Sequence, residues 1–114
     1  MVNKSYTPDR GDLVWVDFNP TRGREQAKVR PAIVVSPKTY NQKTNLAIMC
    51  PITSVQKNYP FEVKVEDKKV SGVILSDHVR SLDWKVRNTK FISKAKQSVI
   101  AEVQTKLGLL VCSK

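Results

Sequence analysis

A charged segment between two apolar runs carries the side chains best suited to chemistry in this sequence. The runs LVWVDF and AIVVS bracket NPTRGREQAKVRP, which holds Arg22, Arg24, Lys28 and Arg30 against one acid, Glu25. A structural hairpin needs only about two to five loop residues, so a longer and more polar connection is typical of a functional loop. Cations here would neutralise phosphate, and the carboxylate would serve as a base.

Most other catalytic chemistries lack their residues in this chain. The sequence has one histidine, His78, and no HxxxH, CxxC or paired-Asp motif, so a metal site or other cofactor is not expected. A serine or cysteine nucleophile would have only that histidine as a base, and GxSxG is absent. The four glycines do not form a phosphate-binding loop. What remains is acid, base and positive charge acting on a phosphate.

RNA is a suitable substrate for this remaining chemistry because it supplies its own nucleophile, the 2′-hydroxyl. A metal-free nuclease then needs a base for that proton, cations for the phosphorane and a donor to the leaving 5′-oxygen. Glu25, Arg30 and Thr53, the last at the end of a later strand, meet that minimum. Each also has a plainer interpretation: Glu25 could pair with Arg22 or Arg24, Arg30 could form a structural salt bridge, and Thr53 could be a strand-end hydroxyl.

The chain is strongly basic throughout. Twenty Lys and Arg against ten Asp and Glu give a formal charge of +10 and a pI near 9.9. Residues 1–57 hold nine basic and four acidic side chains and residues 58–114 hold eleven and six, so each half carries +5. A charge spread over the fold in this way predicts a polyanionic partner, most commonly nucleic acid, but it does not distinguish RNA from DNA or an acidic protein.

The length and composition indicate one soluble domain over residues 1–114. The chain is 40% hydrophobic, has no apolar run of membrane-spanning length, and begins MVNKSYTPDR without the apolar core of a signal peptide. We therefore expect it in the cytoplasm. Cys50 and Cys112 have neither metal-binding nor disulfide-scaffold spacing, which predicts two reduced thiols, with Cys50 buried.

Residue patterns predict a small domain of mainly β structure. Segments rich in β-branched and aromatic residues, bounded by turn formers, predict strands at residues 13–18, 32–35, 45–53, 61–65 and 70–75, with bent or edge strands over 77–84 and 89–92. Residues 37–44 suit a helical turn, with Tyr40 facing inward and Asn41 and Lys43 facing outward. Pro51 predicts a bend or an edge within its strand, which would expose Thr53 and Ser54.

The last part of the chain changes to helical periodicity. Apolar residues recur at helical spacing at Ala95, Val99, Ile100, Val103 and Leu107, and Ser93 is the predicted N-cap. Five to seven short strands with one terminal helix favour a bent antiparallel sheet closing into a small barrel. Trp15 and Phe18 are expected in the core, whereas Trp84 suits either the core or a base-stacking surface.

Taken in order, the motifs of this chain resemble those of the MazF/PemK toxins, bacterial sequence-specific endoribonucleases. They are GDLVWVDFNPTRGREQ, RPAIVVSP, YNQKT, PIT, YPFEV and GVILSDHVRSLDW, followed by an amphipathic helix. The resemblance covers nearly the whole chain and implies an SH3-like barrel of the CcdB/MazF/PemK type, usually a homodimer. It implies a metal-independent mRNA interferase that cuts single-stranded RNA to 2′,3′-cyclic phosphate and 5′-OH ends. It also implies an acidic, MazE-like antitoxin as partner.

The resemblance further implies roles for individual residues. Arg30 of the loop-RP motif and Thr53 of the PIT motif match the family's catalytic pair, with Glu25 of EQ also implicated. The expected RNA-binding residues are Arg22, Arg24, Gln26, Lys28, Ser54, Asp77, His78 and Arg80.

Two departures from the PemK branch place the chain nearer to the MazF branch. It has Leu75 before Asp77 where that branch has an arginine, and Arg24 where that branch has a histidine. His78 stands where the family commonly has glutamine. We therefore expect Asp77 and His78 to contact RNA and not to act as catalysts.

Two other functions remain as alternatives. A CcdB-like toxin of the same fold would bind DNA gyrase through its terminal helix without enzymatic activity. A plain RNA-binding barrel would show affinity without turnover. A gyrase-binding protein has no use for Glu25, Arg30 and Thr53 in one place. The cleavage sequence cannot be read from these residues, because base contacts depend on loop geometry.

Overall fold

Seven β-strands and two α-helices make up the part of the chain that the computed structural model describes, residues 6–18 and 29–112. In chain order they are β1 (Asp12–Asp17), β2 (Val29–Val34), α1 (Lys38–Thr44), β3 (Leu46–Thr53), β4 (Glu62–Glu66), β5 (Ser71–Leu75), β6 (Arg80–Asp83), β7 (Lys90–Lys94) and α2 (Gln97–Val111). Each predicted strand has a counterpart in this series, and the predicted mainly-β class with a C-terminal helix is confirmed.

The strands form one curled antiparallel sheet, a half-barrel in the order β4-β5-β3-β2-β1-β7, with β6 also paired to β3. Strand β3 changes partner along its length. Residues 46–49 pair with β6, whereas Ile52 and Thr53 pair with β5. Pro51, which has no N–H to donate, lies between these two segments and faces Ala32 of β2. The predicted bend at Pro51 is therefore present.

Both faces of the sheet bury apolar side chains. One face packs against α2 and forms the helix-side cluster, which includes Leu13, Ile33, Cys50, Ile52, Ile74, Ile100 and Val103. The opposite face carries the second cluster, which is Val14, Val16, Phe18, Ala32, Val34, Ala47, Met49, Leu82 and Trp84. The two clusters draw on alternate residues of the same strands, because successive side chains point to opposite faces.

The two tryptophans differ in burial, and only Trp15 departs from its expected position. Trp15 is 40% exposed, so its expected place in the core is wrong: strand alternation turns it away from Val14 and Val16. Trp84 is 6% exposed, and its Nε1 donates to the carbonyl oxygen of Asn41 at 3.0 Å. Of the two alternatives for Trp84, the structure supports a core residue. Phe18 is buried as expected.

Helix α2 begins later than the sequence pattern predicts. Ser93 is not an N-cap but a member of β7, where it pairs with Leu13, and its Oγ donates to Asp67 Oδ2 at 2.9 Å. The helix begins at Gln97 after Lys96. The ladder between β1 and β7 takes the backbone groups of Ser93 and Lys94, so these residues are not free to open a helix. In the described part of the chain, no helix is long and apolar enough to cross a membrane.

The close pairing of β5 with the end of β3 requires a glycine at residue 72. Gly72 has φ +148°, and a Cβ there would lie 2.4 Å from the carbonyl oxygen of Thr53. We expect Gly72→Ala to lower the free energy of unfolding by about 1–3 kcal/mol, since both the backbone conformation and the contact become strained. Guanidinium unfolding followed by circular dichroism measures the change.

Gly108→Ala is the matched control for that substitution. Gly108 lies within α2, and the nearest atom to an added Cβ is Cys112 Sγ at 3.9 Å. Alanine there should raise stability by roughly 0.5–1 kcal/mol, because a helix favours alanine over glycine. Equal unfolding midpoints for Gly72→Ala and the unmodified chain would contradict the requirement for glycine.

Candidate nucleic-acid interface

The first feature of the candidate site is the end of the β1–β2 hairpin. Asp17 pairs with Val29, and Arg87 braces this end by donating from Nη1 to the Asp17 carbonyl oxygen at 3.0 Å. Arg30 follows on β2, exposed and paired with Val16. The connection between the two strands contains Arg22, Arg24, Glu25, Gln26 and Lys28, which all lie outside the described residues.

The register of β2 and β3 places Arg30 and Thr53 at corresponding positions just beyond the paired residues. The last paired residues are Ala32 and Pro51, and two residues further along each strand are Arg30 and Thr53. Residues two apart in a strand share a face, so Arg30 lies on the face of Ala32, above the second cluster. Thr53 ends β3 at the same edge. The structure therefore brings the two predicted catalytic residues to adjoining strand ends.

Arg80 lies on the same face from the other side of β3. It pairs with Met49 at the start of β6, and its guanidinium carbon is 5.4 Å from the centroid of the Phe18 ring. A guanidinium over an aromatic face is attracted by the ring quadrupole and loses conformational freedom. Phe18, 9% exposed, thus provides a fixed apolar base for a cation next to the end of β1.

A cavity of about 280 Å³ opens beside Thr53, and we call it the Thr53 cavity. Its lining is Thr53, Val55, Lys57, Tyr59, Glu62, Leu75 and His78. The Oγ1 of Thr53 accepts a hydrogen bond from the Val55 backbone N–H at 3.2 Å, so its own hydroxyl proton is available to another acceptor. Ser54, the next predicted site residue, is exposed at the bend between them.

His78 lines the Thr53 cavity, and Asp77 lies beside His78. The hydroxyl of Tyr59 donates to Asp77 Oδ1 at 2.7 Å, and His78 Nε2 is 4.0 Å from the same oxygen. The hydrogen bond to Asp77, followed by partial burial, raises the pKa of Tyr59 to about 12. The phenol therefore stays protonated at neutral pH and remains a donor to Asp77.

Sequence reasoning missed Tyr59 and Lys57 as site residues. Tyr59 belongs to the YPFEV motif, but its contact with Asp77 spans 18 residues of chain and has no local signal. The segment that carries both residues is fixed by the carboxylate of Glu62, which accepts from the backbone N–H groups of Lys57 and Asn58, each at 2.9 Å. Asn58 has φ 62°, a conformation that asparagine tolerates better than most residues.

The described residues of this site include no cluster of side chains suited to binding a metal ion. Across residues 6–18 and 29–112, no group of three or more His, Cys, Asp or Glu side chains could hold a metal ion. The polar groups that the structure does bring to this edge are the cations Arg30 and Arg80, the Thr53 hydroxyl, and the Tyr59–Asp77 pair with His78 beside it.

This arrangement occurs in a chain with known relatives. A family model described as PemK-like, MazF-like toxin of type II toxin-antitoxin system matches residues 9–111. The chain belongs to the MazF/PemK toxin family. It is 42% identical over 111 residues to the endoribonuclease toxin MazF of Escherichia coli K12, covering 97% of this chain and 99% of that protein. Identity to the Escherichia coli endoribonuclease PemK is 28%, so the expected closeness to the MazF branch is confirmed.

Solved structures agree with this membership. The crystal structure of MazF from Deinococcus radiodurans superposes with a TM-score of 0.86 at 49% identity, covering 96% of this chain and 100% of that one. A MazE–MazF crystal structure from the same organism gives a TM-score of 0.85 at 45% identity, with the same coverage. The curled sheet and terminal helix are thus those of the MazF toxins.

Cys50 of β3 is buried in the helix-side cluster, and its environment predicts an unreactive thiol. Its side chain is buried, and burial together with the negative charge of Asp77 raises its pKa to about 12. Since the thiolate is the reactive form, only about 10⁻⁴ of Cys50 is ionised at about pH 8. We expect the folded protein to react with Ellman's reagent at Cys112, which is exposed, and to release the second thiol only in denaturant.

Cys112→Ser provides the control for this titration. The folded variant should show no rapidly reacting thiol, and the unfolded variant should show one. A rapid reaction of folded Cys112→Ser would mean that Cys50 is accessible and ionised, contrary to its burial.

Proposed function

We propose that the chain is a metal-independent, sequence-specific endoribonuclease, the toxin of a type II toxin–antitoxin pair. We assign it to the cytoplasm as a homodimer of single domains over residues 1–114. The observation that carries the proposal is the β2–β3 register, which leads Arg30 and Thr53 to adjoining strand ends in a chain 42% identical to an endoribonuclease toxin. The named relatives favour this reading over the gyrase-binding alternative, as they are called endoribonucleases.

The proposed reaction is a transesterification within the RNA strand. The 2′-oxygen attacks the adjacent phosphorus, a P–O2′ bond forms, and the P–O5′ bond breaks. Glu25 takes the 2′-hydroxyl proton, and solvent water supplies a proton to the leaving 5′-oxygen. Arg30 donates two N–H hydrogen bonds to the nonbridging oxygens, and the Thr53 hydroxyl donates a hydrogen bond to the same negatively charged group. The products are a 2′,3′-cyclic phosphate and a 5′-hydroxyl.

The remaining predicted contacts divide by charge. Arg22, Arg24, Lys28 and Arg80 suit the phosphates on either side of the cut, and the Phe18 ring supports this role for Arg80 by holding its guanidinium in place. Gln26, Ser54, Asp77 and His78 suit base edges, because their amide, hydroxyl, carboxylate and imidazole groups can hydrogen-bond to the donors and acceptors of a base. The described members of this second group adjoin the end of β3 and the Thr53 cavity.

The proposed protein partner is a small acidic antitoxin of the MazE kind. MazE–MazF complexes have been solved for the Deinococcus radiodurans relatives, which are 45–46% identical to this chain. A net charge of +10 spread over both halves suits an acidic segment lying across the surface. Such a segment would neutralise the toxin by covering the cations that otherwise receive RNA.

Arg30→Ala tests the proposed charge neutralisation. Loss of one preorganised donor should lower kcat/KM for RNA cleavage by at least about 10²-fold, with no change in melting temperature, because Arg30 is exposed. Thr53→Val should act in the same direction but more weakly, because it removes a neutral hydroxyl. Cleavage of a fluorogenic RNA measures both effects.

Lys90→Ala is the matched loss of an exposed cation. Lys90 pairs with Trp15, whereas Arg30 pairs with Val16, so the two cations lie on opposite faces of the sheet. Removal of the exposed Lys90 side chain should therefore leave turnover nearly unchanged. Near-normal turnover of Arg30→Ala would remove Arg30 from the mechanism. An equal loss in Lys90→Ala would mean that overall charge, not a specific donor, is being measured.

The identity of the nucleophile gives the sharpest test of the proposed reaction. Replacing the single ribose before the cut by deoxyribose removes the 2′-hydroxyl while leaving the phosphates in place. We expect binding to persist and cleavage to cease, so that the modified strand becomes a competitive inhibitor. Mass spectrometry of fragments from the unmodified strand should show 2′,3′-cyclic phosphate and 5′-hydroxyl ends.

Excess EDTA in the same digest checks the metal-free mechanism, and cleavage should continue. Cutting of the deoxy-substituted strand, or fragments with 5′-phosphates, would make water the nucleophile and overturn the roles of Glu25, Arg30 and Thr53. Binding without cleavage of any RNA would favour a plain RNA-binding protein, and neither binding nor cleavage would favour the gyrase-binding alternative.

A further inference from the structure

The carboxylate of Asp77 is held in one orientation by a residue distant in sequence. Tyr59, just before β4, donates its hydroxyl to Asp77 Oδ1 at 2.7 Å, and Asp77 follows β5. A tyrosine ring has few rotamers, and the segment that carries it is fixed through the Glu62 carboxylate and the Lys57 and Asn58 amides. The position of the Asp77 carboxylate is therefore set both by the end of β5 and by the segment that precedes β4.

This hydrogen bond uses only one of the two carboxylate oxygens. Within residues 6–18 and 29–112, Asp77 Oδ2 accepts no hydrogen bond, and the Asp77 side chain is 29% exposed. An ionised carboxylate accepts hydrogen bonds through both oxygens and donates none. Asp77 is not itself a lining residue of the Thr53 cavity, but its partner Tyr59 and its neighbour His78 both are, so its carboxylate is a fixed acceptor beside the rim.

The volume of the Thr53 cavity suits a ligand of one or two rings. At about 280 Å³ it lies just below the range of about 300–1,000 Å³ found for drug-sized ligands. Its walls include the apolar side chains Val55 and Leu75, and Thr53 forms one edge. A nucleotide next to the phosphate bound at Thr53 would place its base here. Single-stranded bases are read on their exposed edges in pockets of this type.

A carboxylate acceptor discriminates among bases by their exocyclic groups. Cytosine, adenine and guanine each carry an amino group that donates to a carboxylate, as in the recognition of cytosine N4 by acidic residues. Uracil presents carbonyl oxygens on both sides of its single N–H, and these repel a negative charge. Asp77 therefore selects a base that carries an amino group, provided that its free oxygen is held facing the cavity.

We propose that Tyr59 is a positioning residue for RNA selectivity: it holds Asp77 so that Oδ2 accepts from the exocyclic amino group of a base in the Thr53 cavity. The proposal rests on the proposed endoribonuclease function and names how one base beside the cut is read. Tyr59 acts through Asp77, and it contacts neither the phosphate nor the leaving group.

The first step of the test locates the base. The cleavage sequence is mapped by sequencing fragment ends from a mixed RNA digest, and an oligonucleotide with one site is then made. At each base near the cut, the amino group is deleted alone: purine for adenine, inosine for guanine, 2-pyrimidinone for cytosine. At one position we expect deletion to lower kcat/KM by about 5- to 150-fold, the range for losing a specific base contact.

The second step compares three variants on the native and the deleted oligonucleotides. Tyr59→Phe removes only the hydroxyl, and the penalty for deleting the amino group should fall below about 3-fold. Asp77→Ala should abolish that penalty, and adding Tyr59→Phe to it should change selectivity no further, since coupled residues are non-additive. Tyr40→Phe is the control: Tyr40 lies on α1 beside a different cavity, and its variant should keep the full penalty.

The outcomes separate this proposal from the function on which it rests. If the unmodified protein cuts no RNA, the proposed function fails. If it cuts RNA but Tyr59→Phe keeps the full penalty, the positioning role of Tyr59 is wrong. If Asp77→Ala keeps the penalty, Asp77 does not read the base, a result that holds even where Tyr59→Phe is poorly folded. A ratio of two substrates is insensitive to the fraction of folded enzyme, so a merely structural effect would not change it.

Discussion

The structure depends most on the exchange of partners along β3. This strand is hydrogen-bonded to β2 on one side and, on the other, to β6 and then β5, with Pro51 between the two segments. Because proline cannot donate, the ladder is interrupted where the sheet has to turn. Gly72 then allows β5 to approach the Thr53 carbonyl more closely than any other residue would permit. The bend leaves Thr53 at the junction of two surfaces, the face of the second cluster and the Thr53 cavity.

The two surfaces differ in how their polar groups are supported. On the face of the second cluster, Arg80 rests on the buried Phe18 ring, and Arg30 extends from a strand whose next residues are core. Around the Thr53 cavity, support comes from hydrogen bonds instead: Glu62 fixes the segment of Lys57 and Asn58, and Lys106 of α2 donates to the Glu62 carbonyl oxygen at 2.9 Å. The terminal helix thus stabilises the site without contributing a side chain to the cavity.

The sequence predicted features with local or periodic signals and missed those that depend on distant contacts. Strand positions, the bend at Pro51 and the terminal helix follow from alternation, proline chemistry and helical spacing. The start of α2 was misplaced because Ser93 is held in a ladder with Leu13, 80 residues earlier. The expected orientation of α1 was also wrong, because Asn41 is buried and Tyr40 is exposed. The side-chain amide of Asn41 donates to the Pro8 carbonyl oxygen, and its backbone carbonyl oxygen accepts from Trp84 Nε1. Tyr59 has no local signal at all. Arg30 and Thr53 were predicted from the chemistry of RNA cleavage together with a family motif, and their roles stay predictions.

The distribution of charge argues for a fixed register between the cut and the base that is read. In a chain of net charge +10, the phosphates of RNA are attracted almost everywhere, so attraction alone does not set the position of a strand. In the proposed RNA complex, Asp77 supplies the missing constraint, because its carboxylate repels phosphate and leaves its neighbourhood to a base edge. In the same proposed complex, Arg30 and Arg80 receive the backbone from opposite sides of β3. Since Thr53 borders both regions, the proposal requires that the phosphate at Thr53 and the base facing Asp77 belong to neighbouring nucleotides. Selectivity at that base therefore fixes which phosphate is cut.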